Sequence, residues 1–258
     1  MFDFPTVISI VLLYVCIFLY GVVIGSFLNV VICRLPRKES IVKIRSHCEA
    51  CGYQLKWYDL IPLFSYLFLG GKCRKCKAQI SVQHPIVEAL NGVLYVMLFY
   101  RYGLSLTTIV YCLTCSALLA LSVIDFRTYE IPVGFQYVIG AFALVHLFLD
   151  RLNWSEYVIG FFSVSIFLLV LYCVSKGRAI GGGDVKLMAV CGLLLGWKLI
   201  IVAFVWGCII GSVVHILRMK LSGESRVLAM GPYLSIGVFL AMMWGERFLS
   251  WYFGMFGI

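Results

Sequence analysis

The first 33 residues constrain the fold more than any other stretch. From Val7 to Cys33 the chain reads VISIVLLYVCIFLYGVVIGSFLNVVIC, 27 residues without a charge. About 20 such residues cross the hydrocarbon of a bilayer, and there only a helix can satisfy its own backbone in a single segment. The run is too long for the apolar core of a cleavable signal peptide and has no basic flank before it, so it reads as a first transmembrane helix. Further apolar segments lie at about 86–100, 105–124, 131–149, 156–175, 185–196, 198–217 and 229–250, with 86–100 and 185–196 short for the task. The expectation is an all-α polytopic membrane protein of about eight transmembrane helices. Composition agrees, with 62% apolar and 13% charged residues, where a soluble domain carries about a quarter charged.

The net charge of +9 suggests nucleic acid only until the charges are placed. Ten of the 21 Lys and Arg residues fall within 34–77, between apolar segments. With the N-terminus outside, the inner connections also hold Arg127, then Lys176, Arg178 and Lys186, then Arg218, Lys220 and Arg226. That leaves only Arg101, Arg151, Lys198 and Arg247 outside. Such a bias is the positive-inside pattern. It predicts a multi-pass protein with its N-terminus outside and the long 34–84 connection in the cytoplasm, with the lipid bilayer and no nucleic acid as partner. The predicted organisation is a first transmembrane helix over 1–33, a small cytoplasmic domain over 34–84 inserted between helices 1 and 2, and a multi-helix domain over 85–258. No internal repeat stands out.

The inserted domain contains Cys48-x-x-Cys51 and Cys73-x-x-Cys76, separated by 21 residues. Each C-x-x-C turn presents two thiolates on one side of a metal, and two turns complete a tetrahedral, structural zinc site. Lys72, Arg74, Lys75 and Lys77 favour the thiolate form, and a cytoplasmic location disfavours a disulfide. His47 and His84 flank the module, as spare ligands or as loop surface. Cys112-x-x-Cys115, inside an apolar segment, reads as core, as do Cys16, Cys33, Cys173, Cys191 and Cys208.

Four acids lie in or at the edges of spans: Glu88, Asp125, Glu130 and Asp184. An ionisable group at that depth is a functional candidate. Asp125 ends the third span and Asp184 opens the sixth, so alternation brings both to the cytoplasmic boundary. Two carboxylates sharing one proton can act as an aspartic-protease dyad. The other reading of Asp184 is a helix cap. Gly181, Gly182 and Gly183 before it allow tight turns and close backbone approach, and Lys186 follows. Glu88 reads either as a capping acid or as a site residue, and Glu130 as a helix start before Pro132.

Together these pieces resemble a type IV prepilin peptidase. They are Gly25-Ser26-Phe27-Leu28-Asn29-Val30-Val31 with Arg34-Leu35-Pro36, the two cysteine pairs, and Ile61-Pro62 with Ser65-Tyr66. They continue with His84-Pro85 and Glu88, Asp125 with Ile131-Pro132, Gly181 through Leu187, and Gly231-Pro232. The GxGD element is also similar to that of presenilin-type intramembrane proteases. The resemblance implies an enzyme of the bacterial cytoplasmic (inner) membrane. It would cut the basic leader from prepilin or pseudopilin precursors after a glycine, then N-methylate the new terminus with S-adenosylmethionine. It makes Asp125 and Asp184 the catalytic pair and Gly181, Gly182, Gly183 and Lys186 the active-site loop. Cys48, Cys51, Cys73 and Cys76 become the Zn2+ ligands, in a domain associated with methyl transfer, and Gly25, Asn29, Arg34 and Glu88 the candidates for the methyl donor. The chain departs from the family in Glu49, where proline is common, and in Val133-Gly134, where a polar residue is usual. Two other classes compete: a membrane thiol-disulfide oxidoreductase using the cysteine pairs, and a proton-coupled transporter using the acids.

Overall fold

The structure, a computed structural model, describes residues 4–222 and 228–255. It is helical, with no strands among the described residues, and forms two compact units that divide after Thr108. Four helices are long and apolar enough to cross a membrane, spanning Ile8–Arg34, Leu106–Thr128, Arg151–Ser175 and Trp197–Leu221. By length and composition this is an integral membrane protein. The expected count of about eight spans is not reached on those criteria, although all eight apolar segments are helical.

Unit 1 is built on α1 (Phe4–Arg34), which ends two residues before Pro36, and α3 (Gln83–Tyr102). Lipid tails are as apolar as leucine, so helices in a bilayer associate through close packing and internal hydrogen bonds rather than hydrophobic burial. Here the close packing comes from glycine. A Cβ on Gly21 would stand 2.8 Å from Gly92 Cα, and one on Gly25 would stand 2.8 Å from Glu88 Cα. Asn91, fully buried, donates from Nδ2 to the Gly21 carbonyl at 2.7 Å. Between the two helices lies the cysteine module, with a short helix α2 (Phe64–Phe68) in its middle.

Unit 2 holds the rest of α4 (Leu106–Thr128), followed by α5 (Val133–Leu149), α6 (Trp154–Ser175), α7 (Gly182–Leu195) and α8 (Trp197–Ser222). After the undescribed stretch 223–227, α9 (Gly231–Leu240) runs through a π-turn (Ala241–Gly245) into α10 (Glu246–Gly254). Helix α7 is central, packed by α5, α6, α8 and α9. Nine of its 14 residues are buried, including Leu187, Met188 and Leu194. Enclosure on all sides explains why its sequence is apolar all round and shorter than a free-standing span. Gly160 on α6 and Gly192 on α7 let the two backbones touch, because a Cβ on either would overlap the other's carbonyl oxygen. Cys112, Cys115 and Cys191 are buried in this core, as expected, whereas Cys16 and Cys173, also expected in the core, lie on exposed faces of α1 and α6.

Candidate active site and metal centre

Asp125 and Asp184 both lie in unit 2. Asp125 sits in the last turn of α4, 4% exposed, and accepts the Gly231 N–H on Oδ2 at 2.9 Å. Glycine at 231 leaves room for this carboxylate, since a Cβ would stand 2.7 Å from that same oxygen and push it aside. Asp184 lies in the first turn of α7, 8% exposed, close enough to Asp125 to feel its charge. Gly181, not Asp184, holds the N-cap position. Asp184 is the third helical residue, and its Oδ2 would stand 3.2 Å from a Cβ on Gly181. Its other oxygen, Oδ1, is buried with no hydrogen-bond partner.

The glycines before Asp184 serve close approach rather than an unusual backbone turn. Gly181 is extended (φ −74°, ψ 142°), and Gly182 and Gly183 open the helix. The left-handed residues lie earlier, at Lys176 and Gly177. A Cβ on Gly183 would stand 2.9 Å from Ile131 Cβ, so the Ile131-Pro132 corner after α4 packs against the start of α7. Lys186 is exposed on the outer side of that turn.

Sequence reasoning overlooked Gln136 on α5. It is 4% exposed and donates from Nε2 to the Gly183 carbonyl at 3.2 Å, while its own Oε1 is buried without a partner. A lone glutamine in an apolar helix gives no period or motif to find it by. Glu130 is exposed and joins no site.

In unit 1 the sulfurs of Cys48, Cys51, Cys73 and Cys76 all lie within 4.8 Å of one another. Tetrahedral sulfurs at about 2.3 Å from zinc stand about 3.8 Å apart, and Cys48 Sγ and Cys76 Sγ are 3.8 Å apart. The four cysteines therefore fit a zinc ion. Two backbone turns with the same hydrogen bonds present them. Cys48 N–H bonds to the Tyr53 carbonyl and Gly52 N–H to the Cys48 carbonyl, and Cys73 pairs with Ala78 and Lys77 in the same way. The bridges His47–Gln54 and Lys72–Gln79 repeat at the same offset. This is an internal repeat of backbone, hidden because the two turns share little beyond their cysteines. Backbone N–H groups of Cys76 and Lys75 lower the Cys73 thiol to about 6. At Cys76 the Ala78 N–H lowers the thiol, but the sulfurs of Cys51, Cys73 and Cys48, together with burial, push it up to about 11. Four sulfurs this close do not all ionise without a cation among them. His47 is exposed, its Nδ1 3.0 Å from the Arg45 carbonyl, and stands outside the cluster. Asp59 is 8% exposed and pairs with Arg74 Nε at 2.8 Å.

The four methyl-donor candidates all lie in unit 1 and serve its framework. Gly25 is filled by α3. Asn29 Nδ2 donates to the His84 carbonyl at 3.0 Å. Arg34 Nη1 binds the carbonyls of Ser40, Ile41 and Ile44, the last at 2.7 Å. Glu88, 7% exposed, is no cap: it accepts the Leu63 N–H at 2.8 Å. As placed, Gly25, Asn29 and Glu88 join α3 to α1 or to the cysteine module, and Arg34 ties the end of α1 to the chain that follows.

Comparison with known proteins agrees with this layout. The model of the bacterial peptidase A24 N-terminal domain matches residues 19–102, and that of the type IV leader peptidase family matches residues 112–216. A prepilin leader peptidase/N-methyltransferase of Myxococcus xanthus is 35% identical, aligned over 82% of this chain and 64% of its own length. One of Bacillus subtilis is 31% identical over 93% of this chain and 97% of its own. One of Pseudomonas aeruginosa is 29% identical over 92% of each. No solved structure matches. With one domain model on each unit and a near full-length relative above 30% identity, the chain belongs to the type IV leader peptidase family.

Proposed function

We propose that this protein is a membrane aspartic endopeptidase and N-methyltransferase of the bacterial inner membrane. Its substrates are prepilin or pseudopilin precursors, cut after a glycine behind a basic leader. The family and the names of the relatives support both activities. One observation carries the assignment of the chemistry. Asp125 and Asp184 are buried, interact electrostatically, and leave Asp184 Oδ1 without a partner. In this reading the eight apolar helices are membrane-embedded with the N-terminus outside, and residues 85–258 carry the protease.

Two neighbouring carboxylates hold one proton between them, because both ionise only at high cost. The ionised member takes a proton from water as the water oxygen attacks the scissile carbonyl carbon. Its partner gives its proton to the carbonyl oxygen. On collapse the C–N bond breaks, the first acid protonates the leaving amine, and the second recovers a proton from the gem-diol. The Gly231 N–H fixes one acid, and the first turn of α7 fixes the other. Cys48, Cys51, Cys73 and Cys76 would hold a structural zinc, which supplies a cross-link and takes no part in cleavage.

The test is mass spectrometry of a prepilin incubated with the purified enzyme and S-adenosylmethionine. Asp125→Asn and Asp184→Asn should each lower cleavage by at least ~100-fold while the protein still inserts. Cutting at the wild-type rate by either variant would end the dyad assignment.

A further inference from the structure

The middle of the cysteine module, WYDLIPLFSYLF over 57–68, sits between two polar metal turns and looks like part of a soluble domain. Its depth says otherwise. Glu88 Oε2 accepts the Leu63 N–H at 2.8 Å, and the Glu88 backbone lies against Gly25 on α1, where a Cβ would stand 2.8 Å from Glu88 Cα. Leu63 is thereby held near the level of Ser26, the neighbour of Gly25, eight residues and about 12 Å before the end of α1 at Arg34. The apolar span of α1 is 27 residues, about 40 Å, against about 30 Å of hydrocarbon. If the excess is shared between its two ends, Ser26 lies well inside the hydrocarbon. Assigned wholly to the Arg34 end, it still leaves Ser26 at the edge.

The local backbone is built for that environment. Irregular chain at membrane depth survives only when its polar groups are satisfied from within the protein. Pro62 has no N–H, and Leu63 turns out of the helical path with φ 59°. Three N–H groups at the turn then find protein acceptors: Leu63 on Glu88, Phe64 on Pro62, and Ser65 on Ile61. A loop in water has no need to bury a carboxylate for one amide. The side chains that follow point away from the protein, with Phe64 51%, Leu67 74% and Phe68 87% exposed. Trp57, 77% exposed next to Lys56, has the amphipathic character of an interfacial anchor. Nearby Arg37, Lys38, Lys72 and Lys75 give the module the charge that anionic lipid attracts.

We propose that residues 60–68 form a re-entrant segment seated among the lipid acyl chains of the leaflet that meets the Arg34 end of α1. The zinc module therefore lies against the membrane, with Phe64, Leu67 and Phe68 covered by phospholipid. The test places a photo-cross-linking amino acid at Phe68 (Phe68→p-benzoylphenylalanine) in the full chain. The protein is reconstituted in vesicles of phosphatidylethanolamine and phosphatidylglycerol, and position 42 serves as control because Val42 is 92% exposed on the polar part of the module. Mass spectrometry should find lipid adducts at position 68 several-fold above those at position 42. Equal yields at the two positions would overturn the proposal. So would an adduct at position 68 to added prepilin or to residues 109–258 in place of lipid. Both substitutions fall on exposed side chains, and the helical circular dichroism of each variant establishes that it is folded.

Discussion

Unit 1 and unit 2 each bury a carboxylate to nearly the same degree, and the two acids do opposite work. Glu88 is 7% exposed and Asp184 8%. Glu88 commits its carboxylate to the Leu63 N–H. Asp184 keeps Oδ1 free in a site where a second acid is near. Burial alone therefore does not mark chemistry in a membrane protein. A buried acid whose lone pairs are filled by backbone is a fastener, and one left short of partners has capacity for a water or a substrate.

The contrast can be attacked experimentally, beginning with the largest effect. Unit 1 is expected to depend on its metal outright. Cys73→Ser should take zinc from about one ion per chain to none and loosen residues 34–84, read by metal analysis and by proteolysis of that stretch. Binding displaces protons from thiols, so zinc affinity should rise with pH between the Cys73 value of about 6 and the Cys76 value of about 11. A flat pH profile would remove the thiols from the ligand set. In unit 2, Gly231→Ala presses a methyl onto the Asp125 carboxylate. Displacement on that scale can cost up to ~100-fold in kcat, with little change in KM in prepilin cleavage assays. Next comes Glu88→Ala, which strips the buried Leu63 N–H of its acceptor. It should cost ~1–3 kcal/mol of stability, visible as a lower melting temperature and faster proteolysis near Leu63. Loss of the chemical step without any loss of stability would reverse the roles assigned to the two acids. The smallest effect is expected from Gln136→Ala, which removes the bond to the Gly183 carbonyl. A net hydrogen bond of ~1 kcal/mol corresponds to a several-fold fall in kcat, and Gln136→Asn should not restore it, because the shorter side chain does not reach.

The features legible in the sequence share one property: they are set by spacing along the chain. Val7–Cys33 declares a span by length, the two C-x-x-C turns declare a four-sulfur cluster by count, and Asp125 and Asp184 stand out as acids at the ends of apolar segments. What escaped is set across the chain. The Gly21–Gly92 contact joins residues far apart in sequence, and nothing local to either glycine indicates it. Gln136 and the Glu88–Leu63 bond are single polar contacts between elements, with no period to reveal them. The 57–68 stretch is 12 residues, too short to register as a span and too apolar for an ordinary polar loop. The repeat of the two metal turns lies in the hydrogen bonds and not in the letters. Gly181, Gly182 and Gly183 signal a tight turn or a close approach, but which of the two, and the contact of Gly183 with Ile131, requires the fold.

The seam between α1 and α3 also sets an order of manufacture. All four cysteines leave the ribosome before α3 is complete, so the metal turns can close while their second anchor is still being synthesised. The Leu63 N–H, by contrast, has no acceptor until Glu88 arrives 25 residues later. For that interval the re-entrant turn carries an open amide at the membrane surface. Its final seating must therefore wait for α3 to enter the bilayer. Biogenesis of this chain is thus a two-step closure, with metal capture available first and membrane seating completed by the helix that follows.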